Sequence, residues 1–343
     1  MWTERRVGRT LRTRSGWFIN GQHANFGFEP YNFLENDAGD TKMRISKPII
    51  MLFLLPAILV YMSIFFYPTL RAVFMSFYEI SNINSSISEW KFIGLDNYWG
   101  LFHNSYFLNS SLNVLKIWII GGLIVFVMAF FFSVLISSGV RFKGFWRALI
   151  YLPNTVSVVV MSVIWLQYVY NPTFGLLTHV FRLLGLEQLA NIQWTDDQHL
   201  FLSMLIAFCF GSIGYFLLIL GAAMDRIPND YYEAALLEGA NTLYQFFHIT
   251  LPLLRDVFKT TLVLWTVTAI NFFVWSSIFG RNDPHTMTPG YYMYLKVFGG
   301  ERISDTQAFN VGAGAAIGVL ITVAIIGFSF LIGLLFRKDR LEY

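Results

Sequence analysis

Charge is scarce in this chain: Asp, Glu, Lys and Arg make up 13% of its 343 residues. An average soluble domain carries roughly a quarter. So little charge cannot coat a water-facing surface, which excludes an ordinary soluble enzyme and a disordered protein. A single cysteine, Cys209, excludes an intrachain disulfide framework. The net charge of +3 gives no electrostatic footprint for nucleic acid. Also missing is the Gly-x-x-x-x-Gly-Lys-Ser/Thr loop that cradles nucleotide phosphates. His103, His179, His199, His248 and His285 are scattered without metal-ligand spacing, so no metal site is expected.

What remains is hydrophobicity. Apolar residues reach 55% and aromatics 18%, with 35 Phe and 10 Trp. A hydrocarbon core about 30 Å thick takes roughly 20 residues of helix. Six charge-free windows meet that length, at 48–70, 117–140, 148–171, 201–224, 260–280 and 308–336. Each is apolar all round, as helices facing lipid or other helices are. The chain reads as an all-α integral membrane protein of six transmembrane helices. A tail at 1–47 precedes the membrane domain of 48–336, and a short tail at 337–343 follows it.

Loop charge orients the bundle. Six spans put 1–47, 141–147, 225–259 and 337–343 on one side, with 17 of the 24 Lys and Arg. Positive loops stay in the cytoplasm, so both termini are expected there. Five arginines fall by Arg14, but no apolar core follows them closely. A signal peptide needs such a core, so the first span is expected to be retained. The tail reads as a cytoplasmic segment able to lie against anionic lipid.

Within the windows there is no Asp, Glu, Lys, Arg or His. Proton-driven carriers commonly use such groups, and an intramembrane enzyme needs a nucleophile–base pair or a carboxylate dyad. Neither reading has residues to stand on. Energy for any pumping must then come from a partner, and the loop at 225–256 looks built to engage one. Pro228 suits the first turn of a helix, where Asp230 and Glu233 favour the positive end of its dipole. Gly239 can stop that helix, Asn241 can cap a second, and Pro252 interrupts the approach to the fifth span. Ala234 and Ala235 leave one face bare, while Tyr231, Tyr232, Leu236 and Leu237 ask to be covered by another surface.

That loop carries a resemblance. Glu233-Ala234-Ala235, three residues, Gly239, nine residues, Ile249 and Leu251-Pro252 resemble the EAA signature of ABC importer membrane subunits. Arg226-Ile227-Pro228 precedes it as in that family. Gly94-Leu95-Asp96-Asn97-Tyr98, Tyr151-Leu152-Pro153, Asn171-Pro172 and Gly175-Leu176 are similar to elements of the maltose and glycerol-3-phosphate type of carbohydrate permease. The likeness runs from about Pro48 to Phe336. Departures are Glu238 for the usual Asp, Asn241 for Ser, and Asn282-Asp283-Pro284 for a Gly-Gly-Pro outer turn. The short ending resembles the first of two unlike permease subunits.

The resemblance implies a type I ABC importer permease fold with a cytoplasmic EAA coupling helix, in a bacterial inner membrane. It implies a second permease subunit, two ATP-binding cassette subunits that bind ATP and Mg, and an extracytoplasmic binding protein. Glu233, Ala234, Ala235, Gly239, Leu251 and Pro252 would engage the ATPase. A sugar site needs uncharged polar groups beside aromatic faces. Ser212 and Tyr215 offer these on the fourth span, and Asn271, Phe272 and Trp275 on the fifth. Asn271 and Tyr215 match positions of the family's substrate site, whereas Phe272 replaces a polar residue and argues against maltose. Asn271 could equally serve an interhelical hydrogen bond, and Tyr215 and Trp275 could serve packing. Asn154 and Asn310 read as interfacial or capping residues. The smooth face of Gly312, Gly314, Ala315, Ala316 and Gly318 favours close helix packing. The contrasting expectation is a stand-alone facilitator or channel that moves a small polar solute without ATP.

Overall fold

The computed structural model describes residues 47–280, 283–299 and 309–336. Both tails, the Arg281–Asn282 part of the outer turn and the start of the sixth window lie outside the described residues. Contacts divide the chain into two units, Met1–Leu59 and Val60–Tyr343. The first is described from Lys47, where helix α1 (Lys47–Tyr61) begins.

In the second unit, α2 (Tyr67–Met75) leads to a small hairpin of β1 (Tyr78–Glu79) and β2 (Lys91–Phe92). Helices α3 (Asp96–Phe102), α4 (Ser105–Lys116) and α5 (Gly122–Ser137) follow, then α6 (Lys143–Thr155) and α7 (Val158–Ile164). Two short outer helices, α8 (Leu176–Leu183) and α9 (Glu187–Ala190), precede the long α10 (Leu200–Met224). The 225–256 region forms α11 (Asn229–Leu237), α12 (Thr242–Gln245) and α13 (Leu251–Leu253). Next come α14 (Arg255–Ile270), α15 (Val274–Phe279), α16 (Pro289–Phe298) and α17 (Val311–Leu335).

Five described helices are long and apolar enough to cross a membrane, or six if one bent pair is a single span. The limits differ from the sequence windows in instructive ways. The second span starts at Ser105, not 117, and runs 33 residues, or about 50 Å at 1.5 Å per residue. Its Ser- and Asn-bearing first third adds length beyond the roughly 30 Å a core requires, and Lys116 lies within the helix body. The first span reaches Met75 and the fifth begins at Arg255. The third window is two helices, Lys143–Thr155 and Val158–Val169, meeting at 94°.

Aromatic packing holds the centre. Phe126 of α5 meets Phe216 of α10 and Trp265 of α14 edge-on, at ring separations of 5.4 and 6.1 Å. The Trp265 indole donates to Trp118 O at 2.9 Å, and the Trp118 indole donates to Thr266 Oγ1 at 3.0 Å. Indole N–H groups buried in an apolar bundle need acceptors, and this reciprocal pair supplies them while tying the second span to the fifth.

Beside the hairpin the 94–98 element acts as a clasp. Asn97 Nδ2 donates to Ser76 O and Tyr78 O at 2.8 and 2.9 Å, and accepts at Oδ1 from Asn310 Nδ2 at 3.1 Å. Asn310 also caps α17 through Ala313 N. Asn310 is thus a cap, as expected, and part of a wider network. Gly312 lets the strand approach: a β-carbon there would fall 1.8 Å from Tyr78 O. We expect Gly312→Ala to destabilise the domain by about 1–3 kcal/mol through overpacking. Gly327→Ala, with open space at its position, should be near neutral. Thermal unfolding of the purified variants distinguishes the two.

Candidate functional site

Backbone that leaves the helical path inside a membrane must be sheltered by protein or line a cavity, because lipid satisfies no hydrogen bonds. Among the described residues two such interruptions border this bundle's interior. The first separates α6 from α7 at Val156–Ser157, just after Pro153. The second separates α14 from α15 at Asn271–Phe273, where Phe273 N folds back onto Asn271 O at 2.8 Å. The carbonyl freed at Phe272 accepts from Thr288 Oγ1 at 2.5 Å.

Both interruptions border one cleft of about 220 Å³. Pro153, Asn154 and Val156 line it from one break, Asn271 to Trp275 from the other, and Gly211 and Ser212 from α10. The lining contains no ionisable side chain. Asn271 is exposed to the cleft region and makes no side-chain hydrogen bond among the described residues. The interhelical bond considered for it therefore does not appear. Asn154 Nδ2 donates to Gly211 O at 3.1 Å, which leaves its Oδ1 as an acceptor. Ser212 already donates to Phe208 O at 2.8 Å and Thr268 to Leu264 O at 2.9 Å, so each offers chiefly a lone pair.

Four of the five sequence candidates, Ser212, Asn271, Phe272 and Trp275, line this cleft. Tyr215, at 37% exposure, is not among its lining residues. Phe272 and Trp275 are 1% and 7% exposed, because both rings pack on Phe208, at 4.7 and 6.1 Å. Their first task is structural. Asn154 and Thr268 line the cleft without having been candidates for it. The signal was present: Asn154, Thr155 and Ser157 make a polar cluster in mid-window, and Thr268 stands one turn before Asn271.

The 225–256 loop follows its capping chemistry. Gly239 has φ +78, Gly239 N donates to Leu236 O at 3.0 Å, and Ala240 N to Ala235 O at 2.9 Å. This pair of bonds is the Schellman stop. Asn241 Oδ1 accepts from Tyr244 N at 2.8 Å and starts α12. Pro228 stands one residue ahead of α11, as its cap, and not in the first turn. Glu233 and Ala234 are exposed, Ala235 is half-buried, and Leu237 is 90% exposed. Leu251 lies half-buried and Pro252 exposed on α13, where the chain turns into the fifth span.

A larger concavity, about 990 Å³, runs between α5, α12 and α14, but aromatic and aliphatic side chains such as Phe130, Phe246 and Leu262 line nearly all of it. It offers hydroxyl groups almost nothing to pair with. Among the described residues no group of three or more His, Cys, Asp or Glu is placed to hold a metal ion.

A family model described as the binding-protein-dependent transport system inner membrane component matches residues 121–340. The chain belongs to that family. It is a membrane transport subunit, not an enzyme, and the family favours it over a facilitator acting alone. It is similar to the probable ABC transporter permease YurN of Bacillus subtilis, with 32% identity over 71% of this chain and 80% of that protein. It is also similar to the sn-glycerol-3-phosphate transport system permease UgpA of Escherichia coli O157:H7, with 29% identity over 78% and 92%. A solved bacterial ABC transporter involved in import of the acidic polysaccharide alginate shares the fold. The TM-score is 0.69 at 18% identity, covering 86% of this chain and 96% of that one.

Two substitutions separate lining from support in the cleft of this transport subunit. Phe272→Ala should cost about 3–5 kcal/mol of stability, as large-to-small changes of buried aromatics do. Asn271→Ala should leave the unfolding temperature within about 2 °C, since it removes an exposed group. Thermal unfolding beside solute uptake reads both.

Proposed function

We propose that the chain forms one half of the membrane pathway of an ATP-driven importer for a sugar or oligosaccharide. An extracytoplasmic binding protein delivers the solute, a second permease subunit completes the pathway, and two ATP-binding cassette subunits bind ATP and Mg and supply the energy. The chain itself holds no cofactor. Both termini face the cytoplasm, as the distribution of Lys and Arg favours.

The observation that carries this reading is the uncharged polar cleft where two broken spans meet. Asn154, Ser212, Thr268 and Asn271 present acceptors and an unpaired amide, beside the aromatic body of Trp275. Sugar hydroxyls pair with such groups; a phosphate or carboxylate would find no cation in this lining. The volume of about 220 Å³ falls below the roughly 300–1,000 Å³ of complete ligand pockets, as suits a site shared with a partner. Asn271 is the residue expected to matter most to solute, with Ser212 supporting it. Phe272 and Trp275 shape the wall, and Tyr215 stands apart from it.

On the cytoplasmic side, α11 supports the coupling assignment. Exposed Tyr231, Leu236 and Leu237 surround Glu233, Ala234 and Ala235, and a water-facing loop would not leave them uncovered without a partner. The Gly239 turn presents that helix, and Leu251 and Pro252 join it to the fifth span.

Reconstitution of the full complex in vesicles tests the reading. Uptake should require ATP and the binding protein, and neutral sugars should compete better than phosphorylated or uronate-containing ones. Gly239→Pro should abolish ATP-dependent uptake; Gly239→Ala, facing about 1–2 kcal/mol for a left-handed backbone with a β-carbon, should weaken it. Uptake that persists without ATP would favour a facilitator and overturn the proposal.

A further inference from the structure

Helices α6 and α10 touch along their length through three different contacts. Midway, Gly214 brings the two backbones together: a β-carbon there would lie 2.5 Å from Ile150 O and 2.6 Å from Tyr151 Cα. At the cleft end, Asn154 of α6 donates to Gly211 O of α10 at 3.1 Å. At the cytoplasmic end, Arg147 forks onto Asp225, Nη1 to Oδ2 at 2.8 Å and Nη2 to Oδ1 at 3.0 Å. A two-point guanidinium–carboxylate pair fixes orientation as well as distance. The Arg147 guanidinium holds the Asp225 carboxyl below the usual carboxylate range, so that carboxylate stays ionised at neutral pH.

The position of this pair matters more than its strength. Asp225 ends α10 four residues before α11 starts, and Arg147 sits on the arm that carries Pro153 and Asn154 to the cleft. Beyond Thr155 that arm breaks from α7 at 94°, so α6 is free to follow α10 and not the rest of its own span. Resting on the coupling role proposed above, we infer that the Arg147–Asp225 pair links the cytoplasmic loop to the cleft. Force on α11 enters α10 at Asp225, crosses to α6 through Arg147, and moves Asn154 at the solute site. Arg147 and Asp225 touch no solute and are positioning residues.

Charge exchange tests this in the complete complex. Arg147→Glu and Asp225→Arg, made singly, should each lower ATP-driven uptake by about tenfold or more, with subunit assembly and basal ATPase activity kept within about twofold; together they should restore uptake to within about threefold of the wild type. Singles that transport normally would overturn the link, and so would a double variant as impaired as either single. Should a single variant fail to assemble, spin labels at the exposed Leu149 and Leu202 in a Cys209→Ala background provide the second measurement. Their separation should stay constant between nucleotide-free and ATP-trapped complexes, and a change would refute joint motion. A wild-type complex lacking binding-protein-stimulated ATPase activity would instead overturn the proposed function. An active wild type with silent single variants would overturn the link alone.

Discussion

The structure depends on one constraint: inside hydrocarbon every backbone donor and acceptor must find its partner within the protein. Most of the chain obeys with long helices such as Leu200–Met224 and Val311–Leu335. It departs at Val156–Ser157 and at Asn271–Phe273, and at the second break Thr288 reaches the freed Phe272 carbonyl from another element. The two departures share one cleft, so the cost of breaking helices is concentrated where a polar surface is useful.

The same economy governs close approach. Gly214 allows α6 onto α10, and Gly312 allows the outer strand onto α17. Both contacts bring backbone against backbone, which no larger residue at those positions permits. Trp265 and Trp118, bonded reciprocally, do the opposite, filling space with large rings whose N–H groups are satisfied. Smooth contacts at the edges and bulky ones at the centre give a bundle whose helices are held by shape more than by charge.

Much of this was legible in the residues. Scarce charge and window length gave the membrane class and the apolar segments. Gly239 and Asn241 announced their turn and cap because those roles depend on local backbone chemistry alone. The bend in the third window was not legible: 148–171 is free of charge throughout, and the polar Asn154, Thr155 and Ser157 after Pro153 do not by themselves mark a turn. Nor was the second span's start at Ser105, because the Ser and Asn residues of its first third lower the local hydropathy. In the cleft, Asn271 was singled out as an uncharged polar group beside aromatic residues at a position that resembles the family's pattern. Phe272 and Trp275 looked like stacking platforms, since exposure of a ring depends on the facing helix, and Phe208 on α10 covers both.

The cleft's lack of ionised groups has an electrical consequence. Carrying one elementary charge across a membrane potential costs or yields about 2.3 kcal/mol per 100 mV. Asn154, Ser212, Thr268 and Asn271 carry none, and a neutral cargo adds none. A neutral solute passing this lining would therefore do no electrical work there, in a polarised membrane or a depolarised one.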